Sequence, residues 1–442
     1  MVAKVSQKII PPLKGRKLEE ATIGVIGLGY VGLPLAVALS NHFDVVGYDS
    51  SGVRIAQLAQ HVDTTNEVAG GILESATRLE LTAECSALKK CSIYIVTVPT
   101  PVDALSIPDL SSITQASETV AKLMSEGDVV IYESTVYPGL TEEICVPILA
   151  KGSKLDYNFE FYCGYSPERM NPGDKNRSLQ SIVKVTAGST PEVAKLVDDL
   201  YSKVVAAGTF KVESIKIAEA AKIIENTQRD LNIALINELS RLFKKLGIDT
   251  QKVLEAANTK WNFHSYTPGL VGGHCIGVDP YYLVHKAREI GFATEVILAG
   301  RSTNDGMAKY VATELRRLTY ESEASFANAN VLVLGLTFKE NCGDTRNSQA
   351  INLCFSLVES GFDVTASDPF VTASELDGKY PSLRFCDDPF GELSKYAAVI
   401  VAVAHDEYRE RGVDAFRRLL CARGLLFDLK WIFKEGEADW RM

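Results

Sequence analysis

Short apolar segments alternate with amphipathic, helix-like segments along most of the chain. The run Thr22-Ile23-Gly24-Val25-Ile26 has the length of a buried strand; a glycine-rich turn and a helical run at 33–39 follow it, and a second strand is predicted at 44–48. Strands that alternate with helices in this way indicate βαβ units and a parallel sheet. Further strands of the same kind are predicted at 92–98, 128–132, 158–163 and 182–186.

The pattern changes at about residue 214, where a helical segment without Pro or Gly extends to residue 246. This length exceeds that of most globular helices and suits a spine between domains. Lys222 and Asn226 are four residues apart on one face of the helix, and Asn237 returns near that face. The polar stripe fits either a solvated helix face or the lining of a cleft.

The last third of the chain repeats the alternation of strands and helices. Strands are predicted at 330–335, 362–366, 397–402 and 424–427, without the full glycine pattern of the first turn. We therefore predict an α/β fold with two Rossmann-like, doubly wound parallel-sheet domains joined by a long helical central domain. The predicted domains are 1–212, 213–318 and 319–442. The last is expected to bind a nucleotide other than a dinucleotide, or to serve as a structural cap.

Composition narrows the class of protein. The chain has 442 residues, too many for one ordinary core, and a formal net charge of −10. Nucleic acids and anionic membranes require a basic face, so this charge argues against both as partners. No apolar run approaches the roughly 20 residues that span a bilayer. Nine cysteines without paired metal-ligand spacing, in a chain without a signal peptide, indicate free thiols in a cytoplasmic, reducing compartment and no metal site.

The turn after the first strand carries the pattern Gly27-x-Gly29-x-x-Gly32, with Tyr30 and Val31 before the last glycine. Between a strand and a helix, these glycines allow a tight turn, close approach of a pyrophosphate to backbone N–H groups, and close packing of helix on strand. This context predicts a dinucleotide cofactor bound by these five residues.

Asp49 ends the second strand, about twenty residues beyond the first glycine. A carboxylate there accepts hydrogen bonds from the adenosine ribose 2′-OH and repels a 2′-phosphate, so NAD is predicted rather than NADP. Arg54 either stacks on adenine or caps a solvated helix face.

Two further strands end in polar residues. Pro99-Thr100-Pro101 follows one of them, and Glu133-Ser134-Thr135 follows the other. Ligands bind at the carboxyl ends of strands in such sheets, so cofactor and substrate are expected to meet near Thr100 and Thr135.

The loop Gly272-Gly273-His274-Cys275, with Asp279 four residues further, places a thiol on a glycine-rich segment. Glycines let a backbone approach a bound substrate closely. Cys275 is a candidate nucleophile, and Asp279 is a candidate base. The alternative is a tight turn that carries a buried structural cysteine.

Together these motifs resemble the UDP-glucose/GDP-mannose dehydrogenase family along almost the whole chain. The resemblance rests on the glycine pattern, Val98-Pro99-Thr100-Pro101, Glu133-Ser134-Thr135-Val136, Pro167-Glu168, Lys222-x-x-x-Asn226, Asn237-Glu238, the Cys275 loop, Phe338-Lys339 and Asp344-Thr345-Arg346. It implies oxidation of the C6 alcohol of a nucleotide-bound hexose to a carboxylate, with two NAD+, no metal and a covalent thioester.

The resemblance also implies residue roles. Lys222 and Asn226 stabilise the C6 alkoxide, Cys275 forms the thiohemiacetal and thioester, and Asp279 takes the hydroxyl proton. Either Asp279 or Glu168 activates the hydrolytic water, which Thr135 positions.

Positive groups are needed for the pyrophosphates in this acidic protein. Lys339 is predicted to bind that of the sugar nucleotide, and Arg346 that of NAD. The predicted substrate-binding set is Glu168, Arg169, Lys222, Asn226, Tyr266, Gly272, Gly273, Phe338 and Lys339, and Thr135 is also expected to contact the cofactor.

Arg169, His274 and the segment 265–270 resemble the branch that acts on UDP-N-acetylhexosamines. UDP-N-acetylglucosamine or UDP-N-acetylgalactosamine is the expected substrate, with UDP-N-acetylmannosamine or UDP-glucose as the alternative. The implied product feeds bacterial capsule or O-antigen polysaccharides. The family builds dimers around the long helix, so at least a homodimer is expected. The non-enzyme alternative, an NAD-binding regulatory protein, would be marked by loss of Cys275, Lys222 or Asp279, and all three are present.

Overall fold

The computed structural model describes residues 9–103, 105–170, 179–274, 276–321, 329–377 and 379–442. The chain forms two compact units. The first comprises Met1–Glu225 with Tyr281–Gly291, and the second comprises Asn226–Pro280 with Phe292–Met442. The three-domain boundaries at 212 and 318 stay a prediction.

The first unit contains a sheet of eight strands among its described residues. The strands are β1 (Thr22–Ile26), β2 (Asp44–Tyr48), β3 (Leu79–Thr82), β4 (Ile93–Val96), β5 (Val129–Tyr132), β6 (Tyr162–Tyr165), β7 (Lys184–Gly188) and β8 (Thr209–Lys211). Their order is β3-β2-β1-β4-β5-β6-β7-β8, which begins with the 3-2-1-4-5-6 order of a Rossmann fold. The predicted parallel sheet is confirmed, except that β7 pairs antiparallel with β6.

Helices cover this sheet and bury its apolar strands. They are α1 (Gly32–Ser40), α2 (Gly52–Ala59), α3 (Gly70–Ser75), α4 (Ser111–Ala121), α5 (Val146–Ser153) and α6 (Pro191–Ser202). The core contains side chains of β1, β2, β4 and β5 together with those of α1 and α6.

Strand β6 begins four residues later than the sequence predicts. Asn158 has a φ of 64°, and its N–H donates to Phe161 O at 2.8 Å. This left-handed turn precludes extended pairing through the start of the predicted segment at 158–163. The strand therefore begins at Tyr162.

The long helix α7 runs from Ile215 to Leu246 and begins one residue later than the sequence predicts. At 1.5 Å per residue it is about 48 Å long. In the first unit, the Glu219 side chain of α7 is buried. Its carboxylate accepts hydrogen bonds from the N–H groups of Gly139 at 2.5 Å and Thr141 at 3.0 Å, and these bonds cap the turn before α5. Burial raises the pKa of Glu219 to about 7, although these hydrogen bonds oppose the rise.

Asn237 on α7 is buried in the second unit. Its amide donates to Gly269 O at 3.0 Å and to Asn304 Oδ1 at 2.8 Å, and its Oδ1 accepts Gly269 N–H at 2.8 Å. The polar stripe of α7 is therefore not solvated at Asn237, because this side chain forms hydrogen bonds with the loop that precedes the Cys275 segment.

The second unit contains a parallel sheet of six strands among its described residues, in the order β11-β10-β9-β12-β13-β14. The strands are β9 (Asn330–Leu334), β10 (Asp363–Ser367), β11 (Arg384–Phe385), β12 (Tyr396–Val401), β13 (Leu420–Asp428) and β14 (Trp440–Arg441). The helices after α7 are α8 (Thr250–Ala257), α9 (Asp279–Glu289), α10 (Glu295–Asp305), α11 (Met307–Glu321), α12 (Gln349–Glu359), α13 (Ala373–Asp377), α14 (Asp406–Glu410) and α15 (Val413–Arg417). The predicted second Rossmann-like domain is confirmed.

The turn after β9 repeats the geometry of the turn after β1. Gly335 has a φ of 90°, and Asp368 at the end of β10 accepts Leu336 N–H at 2.6 Å. His405 accepts a backbone N–H at Nδ1, so its Nε2 carries the hydrogen and donates to Asp368 at 3.0 Å. His405 thus forms a hydrogen bond with the Asp368 carboxylate, and Asp368 follows its strand at the position that Asp49 has in the first unit.

Among the described residues, no helix combines the length and apolarity needed to cross a membrane. Within the same residues, no group of three or more His, Cys, Asp or Glu side chains has the geometry of a metal site. The eight cysteines that the structure describes are unpaired.

Candidate active site

The glycine turn after β1 has the geometry expected of a dinucleotide site. Gly27 has a φ of 94°, which strongly favours glycine, and a Cβ on Gly32 would lie 1.8 Å from Gly27 O. A Cβ on Gly29 would meet nothing within 4 Å, so open space lies in front of the turn. Gly27 and Gly32 therefore form the turn and its packing, and Gly29 leaves room for a pyrophosphate. The residues present fit NAD.

Asp49 is half-buried at the end of β2, where its carboxylate accepts Leu28 N–H and Ser51 N–H, both at 2.9 Å. These bonds fix the carboxylate beside the glycine turn. Arg54 donates to Leu28 O at 2.9 Å and forms an ion pair with Asp63 at 2.8 Å. Its guanidinium thus joins the turn to the loop after α2. Contact of Asp49 with ribose stays a prediction, and for Arg54 the sequence leaves stacking on adenine and capping of a solvated helix face as alternatives.

Asp49→Ala is expected to weaken NAD+ and relatively improve NADP+. The change removes an acceptor for the ribose hydroxyls and a charge that repels a 2′-phosphate. Because hydrogen bonds to a charged group contribute roughly 1.5–3 kcal/mol, the affinity for NAD+ should fall about ten- to a hundredfold. Titration of both cofactors measures this. Asp49→Asn is the matched variant, because it keeps an acceptor oxygen and removes the charge. An unchanged NAD+/NADP+ ratio in both variants would show that Asp49 is not at the ribose.

The loops after β4 and β5 are joined directly. Thr100 Oγ1 donates to Thr135 O at 2.6 Å, and the buried Tyr282 donates its hydroxyl to Thr100 O at 2.8 Å. The structure therefore brings together the two strand ends that the sequence places at the ligand edge.

Glu168 lies in the loop after β6. Its Oε1 accepts Arg169 N–H at 2.6 Å and also the N–H of Met170. The Arg169 guanidinium forms an ion pair with Glu225 at 2.7 Å and donates to Val183 O at 2.6 Å. Both predicted substrate residues are thus held by the first unit itself, and their contact with substrate stays a prediction.

Lys222 lies one turn before Asn226 on α7, and both side chains are buried. In the second unit, Asn226 Nδ2 donates to Asp279 Oδ2 at 2.5 Å. Asp279 is buried at the first residue of α9, where the positive end of the helix dipole favours a carboxylate. Two of the predicted catalytic side chains are therefore in direct contact.

The loop that carries Cys275 is fixed on its N-terminal side. A Cβ on Gly273 would lie 2.6 Å from the Phe338 ring, and one on Gly272 would lie 2.4 Å from Asn347 O. His274 Nε2 is 2.9 Å from Asp344 Oδ2. Cys275 itself lies outside the described residues, so its role stays a prediction.

Asp344 connects this loop to Arg346. The guanidinium donates to both carboxylate oxygens, with Nη2 at 2.7 Å from Oδ2. Burial opposes ionisation of Asp344, but the hydrogen bonds from His274 and Arg346 outweigh it and hold the pKa well below its usual range. Tyr266 and Lys339 are half-buried in the same unit. The ligands predicted for Tyr266, Lys339 and Arg346 stay predictions.

Asp344→Asn is expected to lower the free energy of unfolding at pH 7 by about 2 kcal/mol, because His274 and Arg346 lose a charged acceptor. The folded-state pKa is depressed, so the wild-type advantage is present above the unfolded value of about 4 and is lost as pH falls below it. Urea unfolding at pH 7 measures the difference, and the exposed Asp387→Asn serves as control. Equal stability of wild type and Asp344→Asn at pH 7 would contradict this account.

Three residues of the site were not predicted from the sequence. Tyr282 and Asp344 stand inside recognisable motifs, but their contacts join segments far apart in the chain. Lys184 is a lysine in an otherwise apolar strand, which is the signal that could have identified it. Its ammonium forms a buried ion pair with Glu133 at 2.8 Å.

Three features define an NAD-dependent oxidoreductase. They are the glycine turn that fits NAD, the acidic residue after β2, and the Asn226–Asp279 pair, whose aspartate follows the Cys275 loop in sequence. Residues 21–205 match the NAD binding domain of the UDP-glucose/GDP-mannose dehydrogenase family, residues 216–306 its central domain, and residues 332–435 its UDP binding domain. The chain belongs to this family and is an NAD-dependent nucleotide-sugar dehydrogenase.

The chain is 51% identical over 427 residues to a UDP-N-acetyl-D-glucosamine 6-dehydrogenase of Pseudomonas aeruginosa, covering 96% of this chain and 100% of the relative. It is 48% identical to an enzyme of the same name from Salmonella typhi, covering 96% and 99%. Among solved structures it is similar to a UDP-D-ManNAc dehydrogenase of Pyrococcus horikoshii, with a TM-score of 0.86, 30% identity, and coverage of 95% and 98%.

Proposed function

We propose that this enzyme oxidises the C6 alcohol of UDP-N-acetylglucosamine to the uronic acid, with UDP-N-acetylgalactosamine as the second candidate. The observation that supports this proposal is the sequence identity of 51% and 48% to two UDP-N-acetyl-D-glucosamine 6-dehydrogenases, against 33% to a UDP-N-acetyl-D-mannosamine dehydrogenase of Pyrococcus horikoshii. The loop sequence around His274 and the neighbouring Tyr266 segment support the same branch.

The proposed chemistry has three stages. Lys222 and Asn226 stabilise the C6 alkoxide while Asp279 takes the hydroxyl proton, and hydride loss gives the aldehyde. NAD+, which the glycine turn and Asp49 would hold, would supply the hydride acceptor for both oxidations. The Cys275 thiolate adds to the aldehyde carbon to give a thiohemiacetal, a second hydride loss gives the thioester, and water cleaves it. The contact of Asn226 with Asp279 supports their joint action at C6.

The cofactor is proposed to lie on the glycine turn, with Asp49 at its ribose and Thr100 and Thr135 beside its nicotinamide end. Phe338 and Lys339 are proposed for the sugar nucleotide, because both belong to the segment that matches the UDP binding domain. Arg346, proposed for a pyrophosphate, is preoriented by Asp344.

We also propose a three-domain arrangement, a homodimer through α7, and a cytoplasmic enzyme that supplies uronic acids for surface polysaccharides. Exposed apolar side chains along α7 support the dimer; they are Ile217, Ile224, Leu235, Leu242 and Leu246. Light scattering tests it, and a fully active monomer at micromolar concentration would contradict it.

The function is tested by incubating the protein with NAD+ and a panel of UDP-sugars while NADH is recorded. We expect NADH with UDP-N-acetylglucosamine and a uronic acid in the product mixture. NADH from none of the sugars would contradict the proposed function and would favour a regulatory NAD-binding protein.

A further inference from the structure

Four side chains of the first unit form a buried ionic cluster, which we call the Lys184 cluster: Glu133, Glu168, Lys184 and Tyr201. The side chains of Lys184 and Glu133 are 3% and 0% exposed, and their ion pair is 2.8 Å long. The Tyr201 hydroxyl donates to the other oxygen of Glu133. Lys184 Nζ also donates to Pro167 O at 3.1 Å, directly before Glu168. The cluster thus connects β5, β7 and α6 to the Glu168 loop.

The Glu168 carboxylate is held unequally at its two oxygens. Its Oε1 accepts backbone N–H groups of its own loop. Its Oε2 is buried, forms no hydrogen bond within the described residues, and lies 3.7 Å from Lys184 Nζ. A buried carboxylate oxygen without a hydrogen bond is costly unless a charge faces it or a water occupies it during function. Oε1 is therefore fixed by hydrogen bonds, while Oε2 can still accept a hydrogen bond beside the Lys184 ammonium.

We propose that Lys184 is a positioning residue that holds Glu168 as the base for the hydrolytic water. This inference rests on the proposed function. Glu168 takes a proton from water as the oxygen bonds to the acyl carbon, the carbon–sulfur bond breaks, and the thiolate leaves and is reprotonated. The products are the uronic acid and free Cys275, and no redox equivalent is consumed in this step.

Charge in the cluster favours this arrangement. Among the described residues, Lys184 lies between Glu168 and Glu133, and Arg169, the next residue on the Glu168 loop, forms an ion pair with Glu225 of α7. Burial raises the pKa of Glu133, while Lys184 and Tyr201 oppose the rise. One ammonium thus lies beside two carboxylates, those of Glu133 and Glu168.

The test is single-turnover kinetics with UDP-N-acetylglucosamine and NAD+. Lys184→Met is expected to retain a burst of two NADH per site and to slow hydrolysis about a hundredfold, the lower range for loss of a general base. The acyl-enzyme then accumulates and is detected by intact-protein mass. Lys184→Arg should restore most of the hydrolysis. Lys195→Met, at an exposed lysine, is the matched control and should behave as wild type.

Lys184→Met leaves the buried Glu133 carboxylate without its cation, and this loss destabilises the folded protein. The double variant Glu133→Gln/Lys184→Met removes both charges and is expected to show the same accumulation of acyl-enzyme. Equal slowing of oxidation and hydrolysis, or hydrolysis at the wild-type rate in a folded variant, would overturn the role of Lys184 and leave the proposed function intact. Absence of NADH with the wild type would overturn both.

Discussion

Cys275→Ser is expected to lower uronic acid formation by roughly three orders of magnitude or more, as loss of a catalytic nucleophile generally does. A serine hydroxyl is largely un-ionised at neutral pH, and an alkoxide is a poorer leaving group than a thiolate. The variant should still bind NAD+, because the glycine turn and Asp49 belong to the other unit. It should stall at an aldehyde-level or ester-like species. The measurement is product formation by chromatography together with NAD+ titration.

The matched control is Cys421→Ser, which changes a partly buried cysteine of β13 and should leave turnover unchanged. If Cys275→Ser formed uronic acid at nearly the wild-type rate, the covalent mechanism would be wrong. Loss of NAD+ binding in this variant would instead point to a folding defect.

UDP-N-acetylglucosamine or UDP-N-acetylgalactosamine is expected to exceed UDP-glucose in kcat/KM by several powers of ten, on the order of 10⁴. A site built to pair with an amide leaves buried polar groups unpaired when a hydroxyl sugar binds, and this mismatch raises the barrier. Steady-state kinetics at saturating NAD+ measure the ratio.

UDP-N-acetylmannosamine is the control for this comparison, because it keeps the acetamido group and inverts C2. His274→Ser tests the contribution of the loop, since the imidazole is held between Asp344 and the edge of Phe338. We expect His274→Ser to lose part of the preference for UDP-N-acetylhexosamines over UDP-glucose. Equal or better turnover of UDP-glucose by the wild type would refute the branch assignment and leave the reaction type unaffected.

Much of the fold could be predicted because its strands are buried on both faces and are punctuated by glycine. β1 and β2 have the predicted bounds, and α7 begins one residue later than expected. Short edge strands such as β8 and β14 were not predicted, because three or two residues carry no periodic signal. The antiparallel pairing of β7 depends on partners distant in sequence, which a local pattern does not specify.

The candidate site was predictable where its chemistry depends on local spacing. The glycine turn, Asp49, Asn226 and Asp279 follow from motifs, whereas the contact of Asn226 with Asp279 appears only in the structure. The contact of His274 with Asp344 joins residues 70 positions apart. Such contacts arise from the packing of loops on the sheet, so residue spacing alone does not reveal them.

The stoichiometry of NADH formation distinguishes a four-electron oxidation through a bound thioester from a two-electron oxidation to an aldehyde. A limiting amount of UDP-N-acetylglucosamine is converted to completion with excess NAD+, NADH is quantified, and the product is identified by mass spectrometry. We expect two NADH for each uronic acid formed, with no free aldehyde released. One NADH per sugar with an aldehyde as the product would contradict this expectation.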